Sequence, residues 1–166
     1  MEHPFVRHTV LMECLEYFFH EDMVTWTKKR NCSVCKISQN TSMKTWIYKP
    51  PEIIIFHLKR FEYKDQLKRK INTYVNFPLK NLDLSAFISP FHVKHQKYDL
   101  YAVVNHSGDM DDGHYTAYCK HPKTKQWNAF NDTRCYIISE ATVQTSSAYL
   151  LFYTSQLFCM PRKTSS

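Results

Sequence analysis

The stretch that decides the fold runs from residue 98 to residue 132 and reads YDLYAVVNHSGDMDDGHYTAYCKHPKTKQWNAFND. Three segments rich in aromatic and β-branched residues, typical of β-strands, occupy residues 98–105, 114–120 and 126–130. Residues 121–125 form the turn between the second and third segments. If that turn closes a hairpin, His114 lies opposite or nearly opposite Asn131, with Cβ atoms roughly 5 Å apart.

A histidine beside an amide or a carboxylate is the base of a nucleophilic triad. The polar partner accepts the imidazole Nδ1–H and fixes the tautomer, so Nε2 is left to act as the base. His114 is one of nine histidines, and a surface histidine is the ordinary interpretation of any one of them. The predicted pairing with Asn131 favours the catalytic interpretation, and a cysteine protease uses this combination of side chains.

The two glycines of the chain, Gly108 and Gly113, fall within the same short turn just before His114. Glycine permits a positive φ or a close approach of the backbone to another group. An ordinary hairpin turn is the alternative explanation. We therefore expect a positive φ or a close backbone contact in the turn just before His114.

The rest of the chain predicts a mixed fold. Apolar residues at helical spacing predict a helix over residues 9–19 with Thr9 as its N-cap. The continuous apolar run around Ile53 predicts a buried strand over 52–61, and the charged segment that follows predicts a connection. Further strands are expected over residues 71–77 and 148–154.

Composition limits the possible functions. With 166 residues, 43% hydrophobic and 22% charged, the chain is globular and forms one domain or a large piece of one. The net charge of +7 comes from dispersed basic residues, so we favour a solvated basic surface over a nucleic-acid interface. No run has the length of a membrane span and no signal peptide opens the chain. We expect a cytoplasmic or nuclear, reducing location with free thiols.

Several motifs together resemble those of a known family. They are YDLYAVVNH at 98–106, GHYTAY at 113–118, FND at 130–132, IFHLKRF at 55–61 and AYLLFY at 148–153. The first three resemble the histidine box of ubiquitin-specific proteases, and the last two resemble the central palm strand and the closing strand of that family. The combination of spaced motifs is highly specific.

The resemblance implies an α+β fold of the papain-like cysteine protease superfamily. It implies an antiparallel-sheet-rich palm and part of the fingers, with the helical thumb missing. Residues 1–155 would be a partial catalytic domain and residues 156–166 a tail. The implied activity is the removal of ubiquitin from conjugates by thiol-dependent hydrolysis, and the implied partner is ubiquitin or a ubiquitin conjugate rather than a membrane or a nucleic acid.

The resemblance also assigns roles to residues. His114 matches the general base, Asn131 the residue that orients it, and Asp132 the adjacent acidic residue that assists polarisation. Gly113 and Tyr115 match positions that hold the extended C-terminal tail of ubiquitin.

The nucleophile of the family lies in a segment of the form Asn-x-Gly-Asn-Thr-Cys, and these 166 residues contain no such segment. Cys119 lies five residues from His114 on one predicted strand, so it points to the opposite face. We therefore expect this chain alone to be an inactive, truncated domain or pseudoenzyme. A non-catalytic ubiquitin-binding or scaffold module is the alternative.

Cys32 and Cys35 have the spacing of structural zinc ligands, but they supply only half of a four-ligand site. We expect two free thiols and no cofactor in this chain. The resemblance implies that zinc is possible in the full-length family domain, where a second Cys-x-x-Cys precedes this pair. A basic zinc-ribbon-like nucleic-acid binder is a weaker alternative that rests on this pair and the net charge.

Overall fold

A computed structural model describes residues 8–20, 22–24, 34, 41–64, 67–91 and 97–158. Within these ranges the chain forms one α-helix, α1 (Leu11–Phe18), and thirteen strands. The strands are β1 (His8–Val10), β2 (Asp22–Val24), β3 (Thr41–Met43), β4 (Ile53–His57), β5 (Phe61–Lys64), β6 (Leu67–Lys70), β7 (Tyr74–Asn76), β8 (Leu82–Asp83), β9 (Lys97–Gly108), β10 (Gly113–Lys120), β11 (Trp127–Asn131), β12 (Arg134–Ile138) and β13 (Ala148–Ser155). Two short 3-10 turns cover Ser85–Phe87 and Glu140–Thr142.

A seven-stranded antiparallel sheet forms the centre of the molecule. Its strands follow the order β12-β11-β10-β9-β13-β4, and β8 pairs with the start of β9. The three strands of the decisive stretch, β9, β10 and β11, are neighbours in chain order, as predicted. Small two-stranded sheets join β1 to β7, β2 to β3 and β5 to β6.

One face of the central sheet carries the core. The largest fully buried side chains include Trp127, Tyr153, Leu151 and Val103 from the sheet, and α1 adds Leu11 to the same cluster. Burying a side chain of this size contributes about 1.5–3 kcal/mol each to the free energy of unfolding. The core therefore fixes β9, β11 and β13 relative to one another.

The opposite face of the sheet is partly uncovered. Ile53 and Ile55 on β4 are 44% and 53% exposed, and Phe130 and Ile137 on β11 and β12 are 42% and 65% exposed. The strand predicted over 52–61 is present as the shorter β4, Ile53–His57, but the prediction that it is buried is wrong. β4 is an edge strand with one face on the core, and a continuous apolar run does not distinguish the two situations.

A buried arginine fastens two parts of the fold. Arg60 is 3% exposed, and its Nε donates a hydrogen bond to the carbonyl oxygen of Ala148 at 2.6 Å. Its Nη1 donates to the carbonyl oxygens of Ile71 at 2.9 Å and Thr73 at 2.8 Å. The guanidinium thus holds the segment that follows β6 against the start of β13.

Two other local predictions need correction. The charged segment after Phe61 is not a plain connection, because it forms the β5–β6 hairpin, in which Phe61 pairs with Lys70. A charged hairpin lacks the alternation of apolar residues that would have revealed it.

The N-cap of the helix also differs from the prediction of Thr9. The helix starts at Leu11 with Val10 as N-cap, since Glu13 accepts hydrogen bonds from the Val10 N–H at 3.2 Å and the Thr9 hydroxyl at 2.7 Å.

Some predictions lie outside the described residues, among them those for Cys32 and Cys35. The last strand ends at Ser155, and the division into residues 1–155 and a tail stays a prediction. In the part of the chain that the structure describes, no helix is both long and apolar enough to cross a membrane.

Candidate active site

The β10–β11 pairing brings His114 and Asn131 together. Ala117 lies opposite Phe130, so Asn131 comes beside Thr116 and lies diagonal to His114 on the same face of the sheet. The predicted proximity is confirmed, although the pair is diagonal rather than directly opposed. Diagonal neighbours of this kind are within reach of long or aromatic side chains.

The two side chains are in direct contact. His114 Nε2 lies 2.7 Å from Asn131 Oδ1, a short hydrogen-bond distance. The expectation that Nδ1 would face the asparagine is wrong, because the diagonal position of Asn131 is reached by the outer ring nitrogen rather than the inner one. When Nε2–H donates to Oδ1, the lone pair of the neutral ring lies on Nδ1. Among the described residues Nδ1 has no partner, so it is the nitrogen available as a base.

Asp132 stands at the same corner of the sheet. It opens the two-residue loop between β11 and β12, where Asn131 pairs with Arg134, and takes a left-handed φ of 50°. Aspartate tolerates this conformation better than most residues. Its Oδ2 lies 3.9 Å from His114 Nε2, and its side chain is 77% exposed. Asp132 therefore acts on the imidazole as a nearby, solvent-screened charge and not as a hydrogen-bond partner.

The turn before His114 explains both glycines. Gly108 has a φ of 87°, and an added Cβ would lie 2.4 Å from the carbonyl oxygen of Asp112. The Asp109 N–H donates to that same oxygen at 2.8 Å, which closes the turn. At Gly113 an added Cβ would lie 2.1 Å from Nε2 of His106. Gly108 is needed for its positive φ, and Gly113 is needed because a side chain there would overlap the His106 ring.

Beside this turn lies an aromatic cluster made of Phe61, His106, Tyr115 and Tyr149. The His106 ring lies 4.7 Å from Tyr115, 5.2 Å from Phe61 and 6.0 Å from Tyr149, between ring centroids. His106 is 4% exposed and its Nδ1 has no partner in the described structure. Burial lowers the pKa of His106, and the charge of Lys70 lowers it further. The ring is therefore neutral at physiological pH.

His106 has no role assigned from the sequence, although this residue ends the YDLYAVVNH motif at 98–106. The signal in the sequence is the short turn between the two glycines. When Gly108 pairs with Gly113, the register places His106 opposite Tyr115, beside the strand that carries His114. Tyr115 is 54% exposed and follows His114 directly, so its side chain stands on the opposite face of β10. Gly113 and Tyr115 thus flank His114 without sharing its face.

We expect Gly113→Ala to lower the free energy of unfolding by about 1–3 kcal/mol, because the new methyl group overlaps the buried His106 ring. Thermal unfolding measures the effect. Asp112→Ala is the control, since Asp112 is the exposed neighbour of Gly113. An unchanged midpoint for Gly113→Ala would mean that the His106 ring moves away without cost.

The described cysteines do not complete a triad with His114. Cys119 lies on β10 at odd separation from His114, and Cys135 pairs with Phe130, so both stand on the other face of the sheet. Burial raises the pKa of the Cys119 thiol, with a smaller contribution from Cys135. A thiol whose pKa is raised is a weak nucleophile, which counts against Cys119. Cys14 lies on α1 and not on the strands that carry His114 and Asn131.

The expectation that Cys32 and Cys35 are two free thiols, half of a zinc site, stays a prediction. Both residues are outside the described residues, and within the described ranges no three His, Cys, Asp or Glu side chains are grouped to hold a metal ion. The zinc that is possible in a full-length family domain is neither supported nor opposed by these side chains.

Comparison with known proteins identifies relatives of the whole stretch. The family described as ubiquitin carboxyl-terminal hydrolase matches residues 13–153. Ubiquitin carboxyl-terminal hydrolase 2 of Gallus gallus is 47% identical over 143 residues, and the human protein of the same name is 44% identical. Ubiquitin carboxyl-terminal hydrolase 9 of Arabidopsis thaliana is 41% identical. Each alignment covers 86% of this chain but only 40%, 24% and 16% of the relative. The chain thus spans less than half the length of these curated relatives.

Solved structures give the same result. The yeast SAGA DUB module superposes with a TM-score of 0.79 at 31% identity, covering 92% of this chain and 35% of that chain. The SAGA Ubp8/Sgf11/Sus1/Sgf73 DUB module bound to ubiquitin aldehyde also gives a TM-score of 0.79, at 29% identity, with 92% and 36% covered. The α+β, papain-like fold is therefore confirmed, with a sheet-rich palm and, among the described residues, α1 as the one α-helix.

Proposed function

Because this chain belongs to the ubiquitin carboxyl-terminal hydrolase family, we propose that it carries the base of a thiol-dependent deubiquitinase. His114 is the general base, Asn131 orients it and Asp132 assists polarisation. The observation that carries the proposal is the 2.7 Å contact between His114 Nε2 and Asn131 Oδ1. A base must be held by a second group to keep its tautomer and its direction.

The proposed chemistry uses the two ring nitrogens separately. Nε2–H of His114 donates to Asn131, and Nδ1 takes the proton from a thiol. The thiolate attacks the carbonyl carbon at the C-terminal glycine of ubiquitin, and the imidazolium returns the proton to the leaving amine nitrogen. The pair is half exposed, with 47% of the His114 side chain accessible, so a substrate and a thiol can approach it.

Ubiquitin is the proposed substrate class. A solved relative with a TM-score of 0.79 is a module bound to monoubiquitin, and another is bound to ubiquitin aldehyde. Next to His114, Gly113 is exposed and Tyr115 offers an exposed ring. We propose that these two residues contact the extended C-terminal tail of ubiquitin, because a Gly–Gly terminus requires a narrow, apolar-walled channel.

We place the nucleophilic thiol outside these 166 residues, since they contain no segment of the form Asn-x-Gly-Asn-Thr-Cys. Of the described cysteines, Cys119 and Cys135 lie on the sheet face opposite to His114. This polypeptide alone is therefore expected not to cleave ubiquitin conjugates. The alternative is a non-catalytic ubiquitin-binding or scaffold module. The same placement of the cysteines favours that alternative. A measurement of turnover, rather than of ubiquitin binding, must therefore distinguish the deubiquitinase from the scaffold module.

A chimera tests the proposal. Residues 13–153, the family-matched segment, replace the matching part of ubiquitin carboxyl-terminal hydrolase 2 of Gallus gallus, and turnover of a ubiquitin–fluorophore conjugate is measured. We expect thiol-dependent turnover by the chimera and none by this chain alone. Ubiquitin binding without turnover by a folded chimera would favour the scaffold module. Thiol-dependent turnover by this chain alone would contradict the placement of the nucleophile. Turnover by this chain that survives Cys→Ser at every cysteine would contradict the thiol chemistry.

Asn131→Ala in the chimera is expected to lower kcat by about 10²-fold, because His114 loses the hydrogen bond that fixes its tautomer. Asn131→Asp keeps an acceptor at that position and is expected to retain most of the activity. Asn128→Ala is the matched control, since Asn128 lies on the same strand and, among the described residues, its side-chain amide donates to the nearby carbonyl oxygen of Gln126. Equal kcat values for the alanine variants at 131 and 128 would remove Asn131 from the mechanism.

We also infer a cytoplasmic or nuclear location. Cys14, Cys119 and Cys135 are free thiols among the described residues. Free thiols persist where the environment is reducing. Fractionation of cells that express the full-length protein tests this inference.

A further inference from the structure

The β5–β6 hairpin contacts the turn that precedes His114. At the end of β6, the ammonium of Lys70 donates a hydrogen bond to the carbonyl oxygen of Gly108 at 2.6 Å and to that of His106 at 3.0 Å. These carbonyls belong to the last residues of β9, where the chain enters the turn. Lys70 therefore binds the turn at the point where Gly108 adopts its positive φ.

Lys70 is itself held firmly. It pairs with Phe61 across the hairpin, and the Phe61 ring contacts His106 at 5.2 Å between centroids. The next residue, Ile71, donates its N–H to the Arg60 carbonyl oxygen at 2.7 Å and accepts from the Arg60 side chain. The base of the hairpin is thus anchored to the core through a buried guanidinium.

A second lysine of the hairpin reaches the same turn. Lys68 forms an ion pair with Asp111, but the two side chains are 47% and 73% exposed. Exposed ion pairs contribute little in water. Lys70 is more enclosed, and burial is the main cause that lowers its pKa. Its ammonium donates two hydrogen bonds to main-chain carbonyl oxygens, one part-buried and one exposed. Two hydrogen bonds from one charged group make Lys70 the stronger tether.

The tether acts on His114 through the strand pairing. Ser107 lies between the two tethered carbonyls and pairs with His114, and its hydroxyl donates to the His114 carbonyl oxygen at 3.3 Å. Gly113 packs against the His106 ring. A shift of the tethered residues would therefore move the backbone that directs the His114 ring toward Asn131.

We propose that Lys70 is a positioning residue that clamps the Gly108–Gly113 turn and so fixes the His114–Asn131 pair. Its value for turnover rests on the proposed function. The clamp itself is a property of this chain and is measured without ubiquitin.

The experiment compares three variants of the full chain with the parent. Lys70→Met removes the ammonium and keeps the apolar stem, while Lys70→Arg restores a cationic donor. Arg69→Met removes the same charge from the neighbouring position of the same hairpin, where the side chain is exposed and the residue pairs with Glu62. Among the described residues, Arg69 forms no side-chain hydrogen bond or ion pair with the turn. Amide hydrogen exchange of residues 109–114 and the ¹⁵N resonances of the His114 ring are recorded for each protein.

We expect Lys70→Met to accelerate amide hydrogen exchange in the turn by about tenfold or more, because the turn loses two hydrogen bonds from a charged group. The His114 ring is expected to change from a single Nε2–H tautomer to a mixture. Arg69→Met should match the parent, and Lys70→Arg should restore most of the protection. Unchanged exchange and an unchanged tautomer in Lys70→Met would overturn the proposal, as would an equal effect of Arg69→Met. Faster exchange with an unchanged tautomer would overturn the positioning role. Failure of the chimera to turn over ubiquitin would count against the proposed function alone.

Discussion

His114→Ala in the chimera is expected to lower kcat for ubiquitin–fluorophore hydrolysis by at least about 10³-fold. The His114 imidazole is hydrogen-bonded to Asn131 through Nε2, and its Nδ1 has no partner among the described residues. Removing it leaves the thiol without a base and the leaving amine without a proton donor. Steady-state kinetics gives kcat, and ubiquitin affinity, measured separately, should change by less than about twofold because the ring meets the reacting atoms rather than the bulk of ubiquitin.

The control for this variant is His121→Ala. His121 begins the β10–β11 turn, is exposed, and accepts a hydrogen bond from the Thr124 N–H at 3.1 Å. It therefore tests the loss of an imidazole from the same hairpin without touching the site. A kcat for His114→Ala within about tenfold of the parent would remove this histidine from the role of base, because general-base catalysis is worth about 10²–10⁴-fold.

Arg60→Met is expected to lower the free energy of unfolding of this chain by about 3–5 kcal/mol. The side chain donates to the carbonyl oxygens of Ala148, Ile71 and Thr73, and methionine leaves all three without this donor. The bond to Ala148 is buried and the other two are part-buried. Each unsatisfied buried acceptor costs about 1–3 kcal/mol, which is offset in part because the desolvation of the guanidinium is relieved.

Lys59→Met is the matched control. Lys59 precedes Arg60 and is exposed, so the same substitution one residue earlier removes a charge without opening a buried network. Urea unfolding followed by circular dichroism gives the two free energies. A difference below about 1 kcal/mol between the variants would mean that water replaces the guanidinium at the three carbonyls.

The central feature of the site could be predicted from residues 98–132. The turn over 121–125 and the alternation on either side of it place His114 near Asn131, and the structure has them in contact. The choice of ring nitrogen could not be predicted. It depends on the exact register, which places Asn131 beside Thr116 and diagonal to His114 rather than directly opposite it.

Other parts of the fold escaped prediction for identifiable reasons. The β5–β6 hairpin is rich in lysine, so its pattern resembles a solvated loop. It folds because Phe61 contacts the His106 ring and Lys70 donates to the Gly108 carbonyl oxygen. The half exposure of β4 depends on what covers the sheet, which the apolar run around Ile55 does not reveal. The anchoring role of Arg60 is a tertiary contact with Ala148 across the fold, and no local pattern announces it.

The contact between Gly113 and His106 also bears on how this sequence can change over generations. An added Cβ at position 113 would overlap the His106 ring, so a side chain there is disfavoured while position 106 holds the imidazole. A smaller residue at position 106 removes the overlap but leaves a ring-sized hole beside Tyr115 until position 113 fills it. The two positions are thus coupled in one direction, and a larger residue at 113 belongs to lineages in which 106 has already become smaller.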